Sequence, residues 1–365
     1  MSSSRRDGQA LAAIALQRLW TQRLAGPRFQ SAVDAVFALG AVQSQDYAGA
    51  KWALGQRTSG TTDADLDRLF DEGAILRTHV MRPTWHFVAP VDIVWLLELT
   101  GARVKAILAP YDRRLEVDAA LLKRAHPVIE RALRDGNHLT RTEIALRLRE
   151  RGIAAAGQRL GHIVSHAELD GLVASGRRKG KQHTYALVAE RAPRARHLGR
   201  EEALAELATR FFAGHGPAQL IDFAWWSGLT VSDGKRGVAM AGSSLVSELV
   251  AGKTYWSSSG AARPAAGGPF VHLLPNYDEL LIAYRDREAL LSPSLVMDAT
   301  SLIAHVVTLD GRVIGGWRRT AGRDRLVVGL EPMRPLRPAG RRALDAAAEE
   351  LGRFVKLPVV VARAR

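Results

Sequence analysis

Two uncharged amides stand two residues apart in Gly40-Ala41-Val42-Gln43-Ser44-Gln45-Asp46-Tyr47, directly after the apolar run Val33, Ala35, Val36, Phe37, Ala38 and Leu39. In a continuing helix, positions i and i+2 point about 200° apart, because each residue turns about 100°. In an extended segment the same two side chains share one face. If both glutamines act on one target, the chain must leave its helix near Gln43. Paired amides position water, a base or a sugar; they do not titrate. On spacing alone, the simpler reading is that both bond backbone at a helix end.

A second constellation lies in Val80 to Val88. Read as one strand, alternation puts Arg82, Thr84 and His86 on one face and Met81, Pro83, Trp85 and Phe87 on the other. A cation, a hydroxyl and an imidazole in a row suit phosphate, although a half-exposed strand with its polar side in water has the same pattern. Pro83 argues for an edge position. His162 and His166 have the i, i+4 spacing of helical metal ligands. No third ligand is evident, so the pair reads as groove-facing or solvated and no metal site is assigned. Arg177, Arg178, Lys179 and Lys181 crowd a glycine-bearing turn where they can neutralise phosphates.

Other chemistries are absent from the sequence. With no cysteine, there are no disulfides, thiolate metal sites or cysteine nucleophiles. No GxGxxG after a strand, Walker loop, GxSxG elbow or HExxH is present, and Gly214-His215-Gly216 reads as a turn. The formal net charge is +14 and the pI about 10.6, the footprint of a polyanion partner. Of the 51 Lys and Arg residues only eight are lysine, which leaves 43 arginines and also fits a GC-rich genome. The first seven residues lack the apolar core of a secretory signal, and no apolar run is long enough to span a bilayer. The expected location is cytoplasmic and nucleoid-associated.

The elements that must hold these residues begin with the clearest unit, from about 130 to 190. Thr140 and Glu143 form a capping-box pattern ahead of Ile144, Ala145 and Leu148. A second helix is expected from Gln158 to Ala174, followed by the basic hairpin Gly176 to Leu187. Helix, turn, helix and basic hairpin is the order of a winged helix. The pattern recurs in 201–240, where Pro217 to Thr230 reads as helix, glycine turn and new helix start. Near the N-terminus, helices are expected over Leu11–Trp20, Ser31–Val42 and Thr62–Asp71, then a hairpin over Ile75–Val88. Ser257 to Gly268 has linker composition. Strands follow at 270–274, 302–307, 312–315 and 326–328, with Asp310-Gly311 as a hairpin turn, then a helix from Arg341 to Phe354 and a strand from Pro358 to Val361. The expected fold class is α+β, with winged-helix units at 1–130, 131–195 and 196–255 and a small, mainly antiparallel β domain at 256–365.

Taken together, these segments resemble one family. Gly40-Ala41-Val42-Gln43-Ser44-Gln45 resembles the QxQ motif of the winged-helix DNA glycosylases of the AlkZ type, which remove alkylated bases and interstrand crosslinks. Met81 to Val88 resembles its Arg-x-Thr-x-His segment, Leu274 to Arg287 a C-terminal signature, and Asp310 to Trp317 its last hairpin. The similarity runs from about residue 10 to 360. It implies tandem winged helices forming a concave cationic surface around duplex DNA, and monofunctional hydrolysis of an N-glycosidic bond without metal or cofactor. It also implies catalytic roles for Gln43 and Gln45. The middle residue of the motif is usually small and apolar or aliphatic; here it is Ser44. A second branch has Asp where this chain has Gln45, and the carboxylate here, Asp46, falls one place later. The expected partner is alkylated duplex DNA, met by a monomer with no obligate protein partner and no membrane. A regulator that binds undamaged DNA without chemistry is the competing reading. A peripheral membrane protein fits less well, because no basic amphipathic helix stands apart.

Overall fold

A computed structural model describes residues 2–262, 264, 267–291, 304–332 and 335–363. The fold is α+β, as expected. The chain divides into two compact units. One comprises 1–66, 205–226 and 230–365; the other comprises 67–204 with 227–229.

The first unit joins both ends of the chain. Its sheet has five strands, Val271–Leu274, Val306–Leu309, Arg312–Ala321, Leu326–Pro332 and Val359–Arg363, lying side by side in that order. Neighbours are antiparallel except the last pair, which is parallel. The helix Pro338–Val355 makes that parallel return. Leu309 pairs with Arg312 across the Asp310-Gly311 turn that the sequence predicts. Of the strand expected at 302–307, Leu302 and Ile303 lie outside the described residues, as do Arg263, Ala265 and Ala266 of the expected linker. Ser257 and Ser258 end the strand Lys253–Ser258, which pairs with Leu245–Val250 in a separate hairpin. The sequence reading missed the helix Tyr47–Arg57, most of which is buried. Its Trp52 packs 5.2 Å from the Phe354 ring and donates to the Leu273 carbonyl at 2.7 Å.

The helix expected from Ser31 to Val42 is shorter, running Ala32–Leu39. Gly40 ends it at φ 78, a conformation that costs glycine little. Val42–Gln43 is then extended, and the chain bends before Asp46 caps the next helix by accepting from Gly49 N–H at 3.1 Å.

The second unit contains the capping box as read. Thr140 accepts from Glu143 N–H, and the Glu143 carboxylate accepts from Thr140 N–H. The helix Ala119–Leu133 precedes it, and its Ile129 and Leu133 pack with Ile144, Leu148, Leu160, Ile163 and Val164. The following helix spans Gly157–Leu169, five residues short of the expected end at Ala174. At Asp170-Gly171 the N–H groups of Gly171 and Leu172 turn back to the carbonyls of Glu168 and Ala167, with Gly171 at φ 70. That closure is a Schellman-type stop. It frees Val173–Ser175 to pair antiparallel with Thr184–Leu187, which also pairs with Leu139–Thr140. Among the described residues no helix is long and apolar enough to cross a membrane.

Candidate active site

In the first unit, the glutamine segment is fastened by the signature segment that begins at Leu274. Gln43 N–H donates to Glu279 Oε1 at 2.8 Å. The other carboxylate oxygen accepts from Trp226 Nε1 at 2.9 Å. Glu279, Trp226 and His215 are each fully buried. His215 Nε2 lies 3.3 Å from Glu279 Oε2 without hydrogen-bond geometry, so it acts on the carboxylate as a close polar neighbour. His215 closes the helix Arg200–His215 and does not sit in the turn read from Gly214-His215-Gly216.

Asp278 fixes the helix that follows Gln45. Its two oxygens accept from Arg57 Nη1 at 2.9 Å and Nη2 at 2.8 Å, a bidentate fork between two buried residues. Arg57 Nη2 also donates to Gln22 Oε1 at 2.7 Å, and Gln22 Nε2 donates to Tyr284 Oη at 3.0 Å. Tyr284 donates to the His215 carbonyl at 2.7 Å. Burial pushes the Tyr284 phenol upward, so it stays a donor throughout the ordinary pH range. Asn276 N–H donates to His305 Nδ1 at 2.8 Å. Burial and Arg319 hold that imidazole below its usual pKa despite Asp46, consistent with a neutral ring accepting at Nδ1. Within one fourteen-residue segment, the side chains of Asp278, Glu279 and Tyr284 therefore brace the glutamine loop or the helix after it, Tyr284 through Gln22. The sequence singled out the segment by resemblance but gave its residues no role, because their partners are far away in the chain.

The loop presents its two amides unequally. Gln43 is 6% exposed and Ser44 is fully buried; Gln45 is exposed. Asp46 is engaged as an N-cap, which separates it from a catalytic carboxylate one place earlier. A buried Ser44 serves where the usual occupant is small and apolar. The chain leaves the helix before Gln43, the condition set by the amide spacing. The arrangement offers one glutamine whose backbone is held from behind and one exposed at the surface.

In the second unit, Arg82, Thr84 and His86 do not alternate along one strand. The strand is only Trp85–Val88, paired with Leu76–His79. Met81 sits at φ 62. Arg82 N–H and Thr84 N–H each turn back two residues, to the Val80 and Arg82 carbonyls. Pro83 occupies this bend rather than an edge strand, its fixed φ and missing N–H suiting a turn. The three residues still cluster. His86, fully buried, meets the Thr84 carbonyl through Nδ1 at 3.0 Å and Arg82 Nη2 through Nε2 at 3.4 Å. A carbonyl only accepts, so Nδ1 carries the proton and Nε2 accepts from Arg82.

The four cations at 177–181 divide into two kinds. Arg178 is held by Asp71 through Nε and Nη2, both at 3.1 Å, and by Asp67 at 3.0 Å. Burial would raise the Asp71 carboxyl, but hydrogen bonds from Arg178 outweigh it and lower it. Lys179 binds Glu143 at 2.7 Å and helps lower that carboxyl to about 2. Arg177 and Lys181 are exposed and have no carboxylate partner among the described residues. His162 lines an open pocket with Tyr111, Arg141 and Gln158, while His166 is buried. Nδ1 of His162 and Nε2 of His166 take the two oxygens of Asp112, at 2.6 and 2.9 Å. Among the described residues, no group of three or more His, Asp or Glu could hold a metal ion.

Comparison with known proteins places these features in context. The family described as DNA glycosylase AlkZ-like matches residues 36–354. The chain is 26% identical over 309 residues to an interstrand DNA cross-link repair glycosylase of Streptomyces sahachiroi, covering 80% of this chain and 83% of that protein. Its fold is similar to the solved structure of the Streptomyces sahachiroi DNA glycosylase AlkZ, with a TM-score of 0.75 at 22% identity. That similarity covers 97% of this chain and 99% of the other.

Proposed function

The chain belongs to the AlkZ-like DNA glycosylase family, and from that premise we propose that it hydrolyses the N-glycosidic bond of N7-alkylated purines, interstrand crosslinks included, in duplex DNA. One observation carries the assignment of residues: the loop bearing Gln43 and Gln45 is extended and anchored from behind by Glu279.

The chemistry suits amides. Alkylation at N7 makes the base cationic, so it leaves with the glycosidic electron pair and becomes neutral. Little protonation is needed, and a strong general acid is dispensable. Water must be placed on C1′ as the sugar gains oxocarbenium character. A glutamine carbonyl accepts a hydrogen bond from that water and turns a lone pair toward the developing charge; positioning and electrostatics of this kind contribute several kcal/mol. The water oxygen bonds to C1′, and its proton passes to solvent. Exposed Gln45 is suited to meet the water or sugar, and Gln43 to stiffen the loop or reach the same centre from within. A bulky or crosslinked lesion is difficult to flip into a tight pocket, which favours an amide at the surface.

Segments 1–130, 131–195 and 196–255 are read as winged-helix units that hold the duplex. Arg177 and Lys181 are the wing cations available to phosphates, beside Arg82 and Thr84. Arg178 and Lys179 act first in holding the wing, and His86 in orienting Arg82. A single chain suffices for this arrangement.

The test uses duplexes carrying N7-methylguanine or a nitrogen-mustard crosslink, incubated with protein and then cleaved with alkali at abasic sites. Strand breaks above the protein-free control are expected. They should vanish in Gln43→Ala/Gln45→Ala while duplex binding persists. Absence of breaks across such lesions, with tight binding to undamaged DNA, would establish the regulator reading instead.

A further inference from the structure

Beside the bracing residues of the signature segment are two arginines with a different environment. Trp225 is 39% exposed, and its ring edge is fixed because Nε1 donates to the Ile282 carbonyl at 2.9 Å. The guanidinium carbons of Arg285 and Arg287 lie 5.2 and 5.8 Å from the centre of that ring. Both are within cation–π range.

The nearby carboxylates are engaged elsewhere. Asp222 is fully buried and accepts from the backbone N–H groups of Gln219, Arg285 and Asp286 at 2.8 to 3.0 Å. Asp286 accepts from Lys253 and from Gln219 Nε2. Glu288 pairs with Lys253 at 3.0 Å. No carboxylate lies within ion-pair distance of Arg285 or Arg287 among the described residues. Two like charges are thus gathered on one indole with no carboxylate in contact among the described residues, and Asp222 offsets the charge of Arg287 only at longer range. Burial and the neighbouring Arg285 lower the Arg287 pKa from its ordinary value. Asp222, by fixing the backbone of Arg285 and Asp286, holds this arrangement in place.

We propose that Arg285, Trp225 and Arg287 form a phosphodiester-binding site that holds the DNA backbone on the same unit as the glutamine loop. Guanidinium forks match phosphate oxygens in geometry and charge, and a bound phosphate relieves the repulsion between the two cations. The site rests on the reading that duplex DNA is the substrate. Sequence reasoning placed the DNA contacts on Arg82, Thr84, His86 and the wing, and passed over these residues.

The experiment is binding of a fluorescently labelled undamaged duplex, by anisotropy, between 50 and 200 mM salt. Each phosphate contact contributes about 0.9 to the slope of log affinity against log salt, or about 3-fold across that range. Arg285 is exposed, so Arg285→Ala keeps the fold. It is expected to lower the slope by about one contact, and Arg285→Ala/Arg287→Ala by about two, or roughly 12-fold across the range. Arg285→Lys/Arg287→Lys should retain most of the slope. Arg342→Ala, which removes an exposed cation from the helix Pro338–Val355, controls for net charge and should leave the slope unchanged. A protein that fails to bind duplex at 50 mM salt would refute the substrate reading itself. Tight wild-type binding with Arg285→Ala equal to Arg342→Ala would overturn the site and leave the substrate reading standing. If the double variant does not fold, Arg285→Ala alone decides.

Discussion

Glu279 is the residue on which the loop geometry turns. Its carboxylate is fully buried and accepts two hydrogen bonds, from Gln43 N–H at 2.8 Å and Trp226 Nε1–H at 2.9 Å. A hydrogen bond to a charged acceptor contributes about 1.5–3 kcal/mol. Glu279→Ala removes two such bonds and leaves both donors buried without partners, a loss of roughly 3–6 kcal/mol. Glu279→Gln keeps one acceptor oxygen but turns an amide donor toward one of the two N–H groups, so roughly half the loss is expected. The kinetic effect follows from position. A displacement of about 1 Å at a positioning group costs on the order of 100-fold in rate. Single-turnover cleavage of an N7-methylguanine duplex, below the melting temperature of each variant, separates this effect from stability. The expected order is wild type, then Glu279→Gln, then Glu279→Ala, with duplex affinity little changed. A folded Glu279→Ala protein that cleaves at the wild-type rate would refute the argument that the anchored Gln43 backbone matters to the reaction.

Two further outcomes test the frame. Arg57→Ala strands the buried Asp278 carboxylate and should destabilise the protein by roughly 3–5 kcal/mol in urea unfolding; a change below about 1 kcal/mol would show that this pair is not a buried ion pair in solution. His183 is held down to about 4 by burial first, with Arg77 and Arg178 adding to the effect. Its folded pKa lies below the unfolded value near 6.5, so the unfolded chain takes up the proton first. The neutral ring's contribution is complete above pH 6.5 and is lost as pH falls toward 4. Discounted for partial exposure, His183→Gln should reduce the drop in stability between pH 7.5 and 5 by about 1 kcal/mol; unfolding curves with the same pH dependence as wild type would refute the assignment.

Local signals gave reliable positions where their physics is local. The Thr140–Glu143 box, the Asp310-Gly311 turn and the closing helix follow from groups within a few residues of one another. Local patterning failed where backbone geometry interrupted it. Alternation through Arg82, Thr84 and His86 assumed a strand that Met81 and Pro83 bend. Apolar spacing carried the helix of Gln158 beyond its stop at Gly171. The helix Tyr47–Arg57 went unread because its residues are buried on nearly every side, which leaves no amphipathic period to detect.

By itself, the sequence determined the two glutamines, their spacing, the glycine that ends the helix before them and the cationic composition. It also carried the ordered motifs by which the family is recognised. Those are properties of residue type and of neighbours along the chain. Tertiary structure alone decided that Gln43 is held from behind while Gln45 is exposed, that Asp46 is a cap, and that Arg178 and Lys179 already have partners. It also decided that Glu279 reaches a residue 236 positions away. Burial and long-range hydrogen bonds arise only when distant segments pack together, so no local pattern encodes them.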